Sequence, residues 1–194
     1  MELYDIFSAI ASHMIKGMMV HEQLMNSYQF LGLAGYATCH EYHYISESKG
    51  YADLCKYAIE HFSFICTASK VDDPGIIPNS WRESVRESVT KEVRAKALRS
   101  ALQEWINWEM ETVKLYSGFY TKLISMEEIP AADFVEHYIL DAEKEATFAK
   151  DELNKKMAID FDIVSIMEEQ EEFESIYKKK LRKVYKEGDL YGNS

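Results

Sequence analysis

Proline is nearly absent, with three in 194 residues, alongside only eight glycines and three cysteines. A chain so poor in helix breakers, with apolar residues recurring at helical spacing over long windows, is read as all-α with few connections. The cysteines (Cys39, Cys55 and Cys66) are odd in number and make no C-x-x-C, which argues against a disulfide frame or a zinc knuckle. A reduced, cytoplasmic setting fits them. The start, MELYDIFSAI, lacks the basic region and compact apolar block of a signal peptide. The uncharged stretch Gln23 to His40 is long enough to suggest a membrane span, but Asn26, Ser27, Gln29 and Thr38 are costly in hydrocarbon. It is read as a buried helix, with no membrane partner. The formal charge of −11 argues against general binding to nucleic acid or anionic lipid, and is compatible with binding cations. There is no Gly-rich phosphate loop, no G-x-S-x-G and no Cys/His nucleophile arrangement.

Five helical segments are predicted. The first runs from about Leu3 to Ile45, with Phe7, Ile10, Met14, Gly17, His21 and Leu24 on one stripe, and SESKG ends it. The second covers about Tyr51 to Val71, with Leu54, Ala58, His61 and Ile65 inward. DDPGIIPN is a loop, and Asn79 or Ser80 can cap the helix after it. The third, Trp81 to Ser125, would span about 65 Å if unbroken, so a break is expected near Val93–Leu98, where the stripe changes register. Pro130 separates it from the fourth, about Ala131 to Met157. The last, about Phe161 to Lys186, stops at Gly188. Long helices with one long connection in the middle predict a four-helix bundle over residues 1–157. Residues 158–194 would add a C-terminal helix, packed on the bundle or on a neighbouring subunit.

Within DFVEHYILDAEKEATF, residues Phe134, Tyr138, Asp141, Glu145 and Phe148 share a helical seam that should be apolar, yet two are acids. Glu109 is a second anomaly, on a stripe with Leu102, Trp105, Val113 and Tyr116. A buried carboxylate must be protonated, paired or bound to metal. His21 or Glu22, and His61, fall on the inward stripes of the other helices.

SKGYADLCKYAIEHFSF, ALQEWINWEMETV and IPAADFVEHYILDAEKEA resemble the second, third and fourth helices of the ferritin-like superfamily, and QLMNSYQFLGLAGY more weakly its first. The resemblance implies an antiparallel four-helix bundle with a long crossover, and carboxylate ligands at Glu109 and Glu145. It also implies iron or another divalent metal and assembly into a homo-oligomer. The family's E-x-x-H, which gives a bridging carboxylate and an imidazole to two irons, occurs nowhere in this chain. In the register adopted, Phe62 and Ile65 take its place and Gln23 replaces the first-helix ligand, though a slip of one residue puts Glu22 there. Ala142 stands where many relatives have Gln. The ordinary ferroxidase centre is therefore expected to be absent, which argues against an enzyme without deciding it.

Two readings of the inward acids stay open. In one, Asp141 and Glu145 face outward or bond to buried tyrosines and tryptophans. In the other a metal site has been rebuilt from Glu109, Glu145, His61 and Asp141, with Glu22 as a further candidate. A helical adaptor that binds another protein is the alternative function. HEYH, at His40 to His43, has a ligand-like spacing but is read as a solvated helix terminus. EEQEEFE is read as an exposed face. The six basic residues of YKKKLRKVYK suit a helix C-terminus and need no partner.

Overall fold

A computed structural model describes residues 2–76 and 89–187. Among the described residues six helices follow in chain order: α1 (Leu3–Leu31), α2 (Ala34–Phe62), α3 (Lys91–Ser125), α4 (Ile129–Ala158), α5 (Ile163–Glu168) and α6 (Gln170–Glu187). Among the described residues there is no strand. Helices α1 and α2 form one hairpin and α3 and α4 the other, and the long connection between the hairpins begins at Ser63. The architecture is the expected all-α bundle with a long crossover and additional C-terminal helices.

The first expected helix is in fact two. Gly32 adopts φ +77°, and the amides of Gly32 and Leu33 bond to the carbonyls of Gln29 and Tyr28 at 3.1 and 2.9 Å. This is a helix stop built on a left-handed glycine, which a residue with a Cβ would strain. The chain reverses within two residues, and α2 runs on through SESKG to Phe62. SESKG is thus mid-helix, and the helix expected to reach Val71 ends instead at Ser63 (φ 58°).

The long third segment starts at Lys91, where Thr90 accepts from the Val93 amide at 3.3 Å, and is continuous to Ser125. Its expected upstream part, with the caps at Asn79 and Ser80, lies outside the described residues, as does Gly188. Pro130 occupies the first turn of α4, where its missing N–H costs no hydrogen bond. The last expected helix is divided into α5, capped by Asp162 on the Ser165 amide at 3.1 Å, and α6.

Helix α6 packs on α2 of its own chain. Gln170 Oε1 accepts from the amides of Gly35 and Tyr36 at 3.0 and 3.2 Å, capping the first turn of α2. Phe173 lies against Tyr36, and Tyr177 against Tyr42. Below them Glu152 accepts from the Tyr36 hydroxyl at 2.8 Å and from Lys155 at 2.7 Å, while buried Lys156 pairs with Glu169.

The interior has two apolar clusters. One gathers Leu24, Tyr28, Leu98, Leu102, Trp105 and Ile166, and the other Phe7, Ile10, Leu54, Leu123, Ala131 and Val135. Burying each large side chain contributes roughly 1.5–3 kcal/mol, so the clusters hold the four helices rigidly on both sides of a polar layer.

Candidate metal centre

The polar layer lies where α1, α2, α3 and α4 face one another. His21 comes from α1, His40 and His43 from α2, Glu109 from α3 and Glu145 from α4. One donor atom each of His21, Glu109 and Glu145 lies within 4.8 Å of the other two. His21 Nε2 is 3.7 Å from Glu109 Oε1, and His43 Nδ1 is 2.9 Å from Glu145 Oε2. The Nδ1 atoms of His21 and His40 are 3.0 Å apart. Trp105 donates its indole N–H to Glu109 at 3.1 Å. His21, His40 and Glu109 are 1, 0 and 2% exposed. Nε2 of His21, His40 and His43 has no hydrogen-bond partner despite its burial. Unpaired buried nitrogens are costly, and that of His21 faces Glu109 within the group of donors that could hold an ion.

Burial raises Glu109 well above the ordinary carboxylate range, and the nearby Glu145 and Glu47 add to it, which favours its neutral form. Burial pushes Glu145 upward most strongly, but the charge and hydrogen bond of His43, with His21 and Glu109, together hold Glu145 below its usual value. Burial opposes protonation of His43 most strongly, and Glu145 and Cys39 together reverse that, raising the imidazole above its usual value. His21 is driven down to about 3, chiefly by burial and then by His43. It presents a neutral ring, the form that binds metals.

Glu47, one turn beyond His43, is pushed up to about 8 by burial and by Glu145. Its carboxylate fits because Gly17 has no side chain: a Cβ there would stand 2.9 Å from Glu47 Oε1. A cavity of about 240 Å³ is lined by residues running from buried Glu109 through Glu47 and Tyr138 to Asp141 and exposed Asp53.

The sequence-derived candidates therefore separate. Glu109 and Glu145 come together. Asp141 lines the cavity but pairs with Lys144 at 2.8 Å and His137 at 3.3 Å, one turn from the cluster. His61 is exposed and stacks on Tyr57, because Phe62 takes the inward place in the last turn of α2. Glu22 is exposed, since its neighbour His21 holds the inward position on α1. Gln23 bonds to Asp73 at 2.6 Å and to the Ile76 amide at 2.9 Å, on the crossover. Ile65 lies beyond the end of α2 and is exposed.

HEYH is corrected most sharply. It is no solvated terminus, because the turn at Gly32 places it in the second turn of α2, facing the interior. The signal that could have found it is the glycine pair in LGLAG, a helix stop, followed by an H-x-x-H at the level of His21.

The donor set fits a single ion better than a pair. The di-iron sites of such bundles are built from about four carboxylates and two imidazoles. The cluster offers two, with Glu47 nearby, and three imidazoles.

No protein-family model matches this sequence, and no curated protein does. Solved structures match in fold, among them two archaeal ferritins. A humanized archaeal ferritin is 13% identical, with a TM-score of 0.69, covering 88% of this chain and 94% of that one. An open-pore ferritin from the hyperthermophilic archaeon Archaeoglobus fulgidus is 14% identical, with a TM-score of 0.71, covering 88% and 93%. This chain has the ferritin-like fold.

Proposed function

We propose that this protein binds one transition-metal ion between His21, Glu109 and Glu145, with His43 available as a further ligand. The centre is a degenerate form of the family's di-iron site. The observation that carries the reading is the convergence, within 4.8 Å, of donors from three helices, with His21 and Glu109 buried, Glu145 half-buried and Nε2 of His21 without a partner. His40-x-x-His43 stands on the second helix of the bundle, where the resemblance calls for E-x-x-H. An imidazole in place of the bridging carboxylate removes the group that would join two metals. Mixed nitrogen and oxygen donors suit iron, zinc, copper or nickel more than magnesium or calcium. Assembly of several copies into an oligomer belongs to the same reading, supported by the fold and by exposed Met110, Ile124 and Leu140 on α3 and α4.

The test is metal content after purification without chelator, followed by titration of stripped protein with Fe(II), Zn(II), Cu(II) and Ni(II). About one ion per chain, lost in Glu109→Ala, is expected. Absence of stoichiometric binding by every ion tried would overturn the reading.

A further inference from the structure

Away from the polar layer, two of the three cysteines meet. Cys55 is on α2, two turns before its end, and Cys66 is three residues past the left-handed Ser63 that stops the helix. The chain folds back there, and the two Sγ atoms lie 3.6 Å apart. Cys66 is buried at 2% exposure, while Cys55 is partly exposed. We propose that Cys55 and Cys66 form a reversible disulfide that staples the start of the crossover to α2.

The surroundings suit such a device. The described crossover after Cys66 is attached to α1 mainly by exposed polar contacts. The Ser69 amide donates to Ser12 Oγ at 2.8 Å, and Gln23 bonds to Asp73. Phe64 is the nearby apolar anchor, edge-on to Tyr4 and Phe7. Exposed backbone contacts of this kind open at low free-energy cost. A covalent bond at Cys66 would restrict that opening from one end, since it removes conformations from the detached chain.

The two sulfurs divide the chemistry by position. Cys55 can be reached from solvent, whereas burial, reinforced by the contact with Cys55, pushes the Cys66 thiol up to about 12. Cys55 is therefore the group that meets an oxidant, and hydrogen peroxide is the class proposed. The Cys55 thiolate attacks one peroxide oxygen and the O–O bond breaks. Sulfur loses two electrons, and with one proton taken up the products are a sulfenic acid and water. Cys66 sulfur then displaces the hydroxyl group, its own proton leaves with that group as a second water, and the S–S bond forms. In total two thiols and one peroxide give one disulfide and two waters. A thiol reductant reverses the step by exchange.

The experiment uses full-length protein, reduced, freed of reductant, treated with one equivalent of hydrogen peroxide and then alkylated. The expected result is a mass lower by ~2 Da before alkylation, with tryptic peptides 50–56 and 57–70 joined until reductant is added. Cleavage within residues 63–76 should slow in the oxidised form. Cys39→Ser should cross-link like the wild type. Cys66→Ser should leave Cys55 as a sulfenic acid, and Cys55→Ser should leave Cys66 reduced. Cys55 ending as an unresolved sulfenic acid in the wild type, bonds forming between chains, or cleavage equally fast in both forms would each overturn the proposal.

Discussion

His21 and His40 meet nitrogen to nitrogen, with Nδ1 atoms 3.0 Å apart in a buried contact. One proton must lie between them, since two would repel and none would leave facing lone pairs. If His21 carries it, His21 Nε2 holds a lone pair directed at the site and His40 is the acceptor. Such outer partners fix the tautomer of a ligating imidazole. Replacing His40 with Leu is expected to weaken metal binding about 10–100-fold, while His21, Glu109 and Glu145 remain in place. Competition titration against a chromogenic chelator measures this, and unchanged affinity would make His40 a packing residue.

Burial and the neighbouring Glu145 and Glu47 favour the neutral form of Glu109, so Glu109→Gln is expected to remove little charge that the fold has to solvate. Its thermal midpoint in chelator should match the wild type. The difference should emerge on adding metal: at a hundred times the dissociation constant the wild type gains about 2.7 kcal/mol, and the variant gains nothing. A variant that melts early in chelator would mean Glu109 is ionised and structurally required.

Gly35 marks where the C-terminal helices dock. A Cβ at that position would stand 2.8 Å from the backbone carbonyl of Gln170 and 3.0 Å from Phe173 Cβ. Neither atom is the end of a flexible side chain, so α6 must move. Gly35→Ala should cost about 1–3 kcal/mol and expose Tyr36. Gly17→Ala meets mainly the movable Glu47 carboxylate and should cost less. Denaturant midpoints of the two variants decide whether this order holds.

His13 gives a stability signal separate from the metal centre. Its Nε2 lies 2.8 Å from Thr112 Oγ1, and because that hydroxyl donates to the Trp108 carbonyl, His13 must be the donor. Burial, with a smaller effect from Lys16, lowers its pKa from 6.5 to about 4. The neutral ring is favoured in the folded state, so its contribution is complete above pH 6.5. It is lost as pH falls toward 4, on the order of 3 kcal/mol in total. His13→Gln, which keeps a donor for Thr112, should show a shallower loss of stability between pH 7 and pH 4.5. Parallel curves would mean that His13 is not the group titrating.

Helix class, the hairpin around Pro130 and the odd placement of Glu109 and Glu145 were legible in the sequence. All three are local or periodic: breakers are scarce, and an acid on an apolar stripe is visible wherever the helix packs. The turn at Gly32 was not legible. A two-residue reversal needs one left-handed glycine and leaves the apolar period on either side nearly undisturbed. Missing it moved HEYH to a helix end and carried His61, Phe62 and Ile65 into positions they do not hold.

The order of the residues alone determined that this chain forms long amphipathic helices with acids on their inner faces. Tertiary structure decided which histidines meet those acids. A helix fixes the angle of a side chain about its own axis, whereas its height relative to other helices is set by where the turns fall and how the cores on both sides pack. The same folding back placed Cys66 against Cys55, a neighbourhood that no spacing in the sequence announces.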